Sequence, residues 1–185
     1  HARRAFRTLT RTHGFEALEV EGELPSGLQG TLVRNGPGAF ECHGERYGHW
    51  FDGDGAITAV RLAEGQAEGA VRFVETPDRE AERAAQRRLF TNFGSRPPTW
   101  GALLRSVVAG EVKRSANTNI ITWQERLFAL HEGSLPLELE AETLASLEFR
   151  DFGVLRSCMS AHPHRVAARR CTYNFGFELG LRASL

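Results

Sequence analysis

Few places in the chain carry residue types that can hold a metal or move a proton. His162 stands in Ser160-Ala161-His162-Pro163-His164. Its imidazole is a ligand type for iron, zinc or copper, and Pro163 biases it toward extended backbone. His164 would share its face only if a strand stayed regular past the proline, so it reads as structural, as do His49 and His131. A lone histidine is more often structural than a ligand, so residue type alone leaves His162 open. Glu132, ahead of Gly133, reads by itself as a solvated turn residue. Asp52-Gly53-Asp54-Gly55 invites a calcium reading, but Ala56 and Ala63 occupy positions that need oxygen ligands. It reads instead as a turn whose glycines take positive φ and whose aspartates cap nearby amides. Neither this string nor Gly36-Pro37-Gly38 extends to a phosphate-binding loop.

The elements that must position these residues read as mostly β. Glycine, 19 in all, punctuates short runs rich in Val, Ile, Thr and Phe. The runs predict strands at 17–21, 31–34, 47–51, 56–62, 69–75, 118–123, 127–131 and 172–177, joined by sequential hairpins, with a reversal at Gln124-Glu125. Arg34 is expected to pair inside the fold and Asn35-Gly36-Pro37-Gly38 to form a turn. Thr76 and Pro77 predict a helix start, with Asp78 and Glu80 in its first turn and Arg87 and Arg88 in its last. After Pro97-Pro98, Trp100, Leu103, Leu104, Val107 and Val108 recur at helical spacing. That apolar stripe either packs on the β body or stays exposed and touches a membrane surface, with Trp100, Leu103 and Leu104 as substrate or membrane contacts.

Size and composition set the class. At 185 residues, 41% hydrophobic and 25% charged, the chain is an ordinary globular domain with room for a core. Lys+Arg and Asp+Glu both total 23, so no net field recruits nucleic acid. Cys42, Cys158 and Cys171 are odd in number and lack CxxC spacing, which points to a reducing, cytoplasmic setting rather than disulfides or zinc. No stretch approaches the roughly 18 apolar residues of a membrane span. The start carries neither Met nor a signal core, so the expected true start lies upstream or was processed.

Four blocks in order carry a resemblance. They are Leu24-Pro25-Ser26-Gly27-Leu28-Gln29-Gly30-Thr31-Leu32-Val33-Arg34-Asn35-Gly36-Pro37-Gly38, then His49-Trp50-Phe51-Asp52-Gly53-Asp54-Gly55 with Ala59-Val60-Arg61. Ala116-Asn117-Thr118-Asn119 with Leu127 to Gly133 and Leu135-Pro136 forms the third, and Ser160-Ala161-His162-Pro163 the fourth. Together they resemble the carotenoid cleavage oxygenases, over about residues 15–180, with Tyr173-Asn174-Phe175-Gly176 regaining the pattern after a divergent Arg165–Arg170. The resemblance implies the N-terminal part of a seven-bladed β-propeller with Fe(II) held by four histidines on its axis. Residues 1–185 then form a partial propeller domain with a helical insertion over 77–110. It implies a non-haem dioxygenase that inserts O2 across a conjugated double bond of a hydrophobic polyene, giving two carbonyl products. His162 would be one metal ligand, and Glu132 would orient a ligand histidine that lies later in the chain, its partner then being absent here. His131 stands where the family often has a bulky aromatic. No residue is assigned a catalytic role. The alternatives are an isomerohydrolase or a non-catalytic polyene or retinoid binder on the same scaffold.

A blade takes roughly 40–45 residues and seven need about 300, so this chain is expected to be an N-terminal portion, inactive alone, whose partner is the missing C-terminal part. Cytoplasmic location with peripheral membrane contact completes the expectation.

Overall fold

The computed structural model describes residues 6–90, 92–109 and 112–176. Strands β2 (Gly30–Pro37), β5 (Gly55–Ala63) and β6 (Gln66–Phe73) pair antiparallel, β2 with β5 from Gly30↔Leu62 to Pro37↔Gly55, and β5 with β6 from Ala56↔Phe73 to Ala63↔Gln66. Glu64 and Gly65 both take positive φ, the geometry of a two-residue hairpin turn whose twist suits the strands. β1 (His13–Ala17) closes the outer edge of this sheet on β6, giving the order β1-β6-β5-β2. It lies ahead of the predicted strand at 17–21. Phe15 is the side chain that reaches the core, under the Arg61 guanidinium at 3.9 Å, whereas Leu18 and Val20 stay exposed.

The second sheet runs in chain order: β7 (Asn119–Trp123), β8 (Arg126–Leu130), β9 (Leu137–Leu139) and β10 (Ser146–Phe149). Gln124 and Glu125, both at positive φ, make the predicted reversal between β7 and β8. A third, two-stranded sheet pairs β11 (His164–Val166) with β12 (Cys171–Tyr173). Of the predicted strand at 172–177, Phe177 lies outside the described residues.

The core sits between these sheets, and β8 shows why. Its alternating side chains go to opposite faces: Leu127 and Ala129 join Ile57, Ala59, Ala70 and Leu137 against the first sheet. Phe128 and Leu130 join Ala161, with Trp123 and Phe152 packed around them on the side of the third sheet. A strand covered on both faces reads as a continuous apolar run, which Leu127 to Leu130 is.

Between β6 and β7 stand two helices. α1 (Pro77–Ala85) starts where predicted, with Arg79 N donating to Thr76 Oγ1 at 3.1 Å. It ends earlier, at Gln86 in left-handed conformation, so Arg83 occupies the last turn and Arg87 and Arg88 lie beyond it. α2 (Trp100–Ala109) keeps Ala102 buried and Leu103 half-buried, while Trp100, Leu104, Val107 and Val108 are exposed. Of the two expected placements the exposed stripe is the one observed. No helix among the described residues is long and apolar enough to cross a membrane.

Three expectations from the motifs change. Residues 47–51 are not a strand: β3 (Glu41–Cys42) and β4 (Glu45–Arg46) form a small hairpin, followed by a 3-10 turn at Trp50–Asp52. His49 Nδ1 accepts from Phe51 N at 3.1 Å and competes with a ladder there. Asn35-Gly36-Pro37 is the end of β2 rather than a turn, and Arg34 is exposed on that strand. Gly53 and Gly55 are not at positive φ; Gly53 has φ −67 and Gly55 opens β5. They are glycines for lack of room, since a Cβ on Gly53 would stand 2.1 Å from Ala39 O and one on Gly55 2.2 Å from Ala116 O.

Candidate substrate and metal site

Carboxamides tie the sheets together where β2, β7 and the segment before β11 converge. Asn35 Nδ2 donates to Ala116 O at 2.9 Å and Asn119 O at 2.8 Å. Asn119 Nδ2 in turn donates to Ala161 O at 2.8 Å, and Asn117 Nδ2 to Phe51 O and Gly53 O. Each bond spends a side-chain donor on a carbonyl from another part of the chain, so the convergence is held by polar cross-links as well as packing. These asparagines belong to the strings that identify the resemblance.

That convergence borders a partly open cavity of about 960 Å³, lined by Asn35 to Pro37, Trp50, Phe51, Asn92, Phe93, Val112, Asn117, Thr118, His131 to Gly133, Arg156 to Cys158 and His162. Trp50, Phe51 and Phe93 cluster with His49 through ring contacts of 4.3–5.8 Å, giving the wall an aromatic edge. Trp50 and Phe51 escaped sequence reasoning because residues 47–51 read as a strand. Phe93 had no motif to signal it.

His162 sits on extended loop two residues before β11, not on the strand itself. Neighbouring groups fix it in place of a ladder. Ser160 N donates to Phe175 O and to Asn174 Oδ1, Asn119 holds Ala161 O, and His162 N donates to Ser160 Oγ at 3.1 Å. The ring is 70% exposed, and its Nε2 lies 3.3 Å from Glu132 Oε1. Glu132 thus stands beside an imidazole of this chain, whereas the resemblance implied a partner histidine absent from it. His164, on β11, is exposed and off the cavity wall, and Trp100, Leu103 and Leu104 do not line it either.

His131 is the wall's second imidazole. Gly133 N donates to its Nδ1 at 3.3 Å, and burial pushes its pKa below the ordinary value, so the neutral ring carries its proton on Nε2.

The aspartates of the Asp-Gly string are buried anchors rather than turn caps. Asp52 accepts from Gly94 N and from Ser95 Oγ at 2.6 Å. Asp54 faces Lys113 Nζ at 2.6 Å and Arg79 at 3.1 Å, while the same ammonium meets Glu82 at 2.8 Å and donates to Tyr47 Oη at 2.6 Å. Burial opposes the Lys113 charge, but Asp54, then Tyr47 and Glu82, outweigh it and hold the ammonium above the ordinary lysine value. Arg114 pairs with Asp78 beside this cluster. The helix bearing Asp78 and Glu82 thus docks through carboxylates.

Among the described residues no group of three or more His, Cys, Asp or Glu side chains could hold a metal ion. The donor set around the cavity is one accessible imidazole with a carboxylate at its other nitrogen. That chemistry suits one leg of an iron centre and is too small to bind iron alone.

Two four-stranded antiparallel sheets packed face to face around converging β2 and β7, with the third sheet beginning beyond, define the chain as a portion of a β-propeller. The profile of the family described as retinal pigment epithelial membrane protein matches residues 6–185, and the chain belongs to that family, the carotenoid cleavage oxygenases. It is 36% identical to an apocarotenoid-15,15'-oxygenase of Synechocystis over 98% of this chain and 39% of that protein. An isoeugenol monooxygenase of Pseudomonas putida is 33% identical over 80% of this chain and 29% of its own length. The solved structure of cobalt-substituted Synechocystis ACO superposes with a TM-score of 0.84 at 33% identity, over 97% of this chain and 40% of that one. The chain spans about two-fifths of these closely similar proteins from Synechocystis.

Proposed function

We propose that the chain is the N-terminal portion of a non-haem Fe(II) dioxygenase that cleaves a conjugated double bond of a carotenoid or apocarotenoid into two carbonyl products. The observation that carries this reading is His162 facing the aromatic-edged cavity with Glu132 at its far nitrogen. In it His162 is one metal ligand, Glu132 sets its orientation, and the remaining ligands come from outside the described residues. Bound iron would supply the activation of oxygen. The chain's own walls would hold the polyene in a water-poor slot and present the imidazole to the metal. The exposed stripe of α2 supports a peripheral membrane contact through which a greasy substrate arrives.

The test is Co(II) titration by calorimetry together with product analysis after iron loading in air. Weak Co(II) binding lost in His162→Ala, with no cleavage of an apocarotenal by these 185 residues alone, is expected. Unchanged Co(II) binding in His162→Ala would remove the ligand assignment, and cleavage by the chain alone would remove its dependence on further ligands. One second reading is polyene binding without chemistry, which the aromatic-edged cavity supports by itself. It predicts tight polyene binding that Co(II) does not alter.

A further inference from the structure

We infer that His131 is a positioning residue that donates a hydrogen bond from Nε2 to an oxygen atom on the ligand in the cavity. The inference rests on the substrate reading above and deepens it.

Three observations converge. His131 lines the same cavity as His162 and Glu132, beside the apolar walls of Pro37, Phe51 and Val112. The Gly133 N–H occupies the Nδ1 lone pair at 3.3 Å, which assigns the ring proton to Nε2 and fixes the ring's orientation. Nε2 itself has no protein hydrogen-bond partner among the described residues. An N–H donor without a protein partner is under-used, and an oxygen atom of a ligand in the cavity that His131 lines would satisfy it. Burial lowers the ring's pKa and keeps it a neutral donor. It would therefore read a carbonyl or hydroxyl oxygen without requiring an anion. A pocket that is otherwise greasy can grip a hydrocarbon anywhere along its length, but one fixed donor sets the ligand's register and hence which double bond stands near His162.

The experiment pairs a conjugated polyene aldehyde with its hydrocarbon counterpart and measures their binding to the wild-type protein, His131→Phe and His131→Gln. The second readout is the absorption maximum of the bound aldehyde, because a hydrogen bond to its carbonyl moves the band to longer wavelength. His131→Phe is expected to weaken aldehyde binding about threefold to tenfold, to move hydrocarbon binding by less than about twofold, and to abolish the red shift. His131→Gln keeps an N–H donor and is expected to retain part of both. Should His131→Phe not fold, His131→Met makes the same apolar test with a more adaptable side chain. Equal weakening of both ligands, or a red shift that survives the apolar variant, overturns the inference and leaves the substrate reading standing. Failure of the wild-type protein to bind either ligand overturns both.

Discussion

Replacing Lys113 by Met tests whether the buried charge cluster holds the helical segment to the first sheet. The side chain is 1% exposed, with Nζ at 2.6 Å from Asp54, 2.8 Å from Glu82 and 2.6 Å from Tyr47 Oη. Removing one partner of a buried ion pair costs about 3–5 kcal/mol, because the other charge stays behind uncompensated. The two carboxylates here fare differently. Asp54 keeps Arg79 at 3.1 Å, whereas among the described residues Glu82 keeps only the Leu89 and Phe90 backbone N–H groups and the Cys42 thiol. One stranded charge rather than two places the loss near the lower end, about 3 kcal/mol. At roughly 2–4 °C per kcal/mol for a chain of this length, the melting temperature should fall by about 6–12 °C, read by circular dichroism. Lys113→Met/Glu82→Gln removes the stranded charge and should recover at least half of the loss. The sign of the pH dependence follows from the raised Lys113 value. Its stabilisation is complete below the ordinary lysine pKa of about 10.4 and drains as pH rises through the higher folded value. The gap between wild type and Lys113→Met should therefore narrow only in strong alkali. A loss under about 1 kcal/mol, or no recovery in the double variant, would refute the view that these charges hold the segment.

Asn119→Ala removes the donor to Ala161 O next to His162 and should cost about 1–3 kcal/mol in urea unfolding, with polyene affinity falling alongside. Gly55→Ala sets a methyl group 2.2 Å from Ala116 O, a backbone atom that cannot swing aside, and should lower stability by about 1–3 kcal/mol in the same assay. Burial, then Glu82, pushes the Cys42 thiol up to about 11, so it should resist a thiol reagent at pH 8 while half-exposed Cys171 reacts first. Because that folded value is raised, Cys42 contributes stability below its ordinary pKa that is lost as pH climbs toward 11, and Cys42→Ala should be less sensitive to that rise.

How much was legible in the sequence depends on whether a residue's task was local. β5, β6, β7 and β8 were legible because each carries enough Val, Ile, Leu or Phe to form a strand on its own and is bounded at one end by a tight reversal. β9, β10 and β11 are three or four residues long and take their identity from a neighbour's free edge, which leaves no local trace. The same division runs through the site. His162 could be singled out because its motif is contiguous, and Thr76 because a helix cap is a local device. The roles of Asp54, Asp78 and Glu82 were missed. Asp78 read only as a first-turn charge facing the helix dipole and Glu82 carried no local signal, because only the fold brings Lys113 and Arg114 from more than 30 residues away to bury these carboxylates. Gly53 and Gly55 show the limit most plainly. Their residue type was read as freedom in φ, yet what selects glycine is a carbonyl that approaches from a distant segment. The strings that identify the family are thus mostly scaffold: asparagines that bridge sheets, glycines that admit backbone, and two aspartates, Asp52 tying down Gly94 and Ser95 and Asp54 neutralising buried Lys113. On the proposed reading, chemistry would enter where that scaffold fixes Ser160 and Ala161, because their anchored backbone places His162 on the cavity wall.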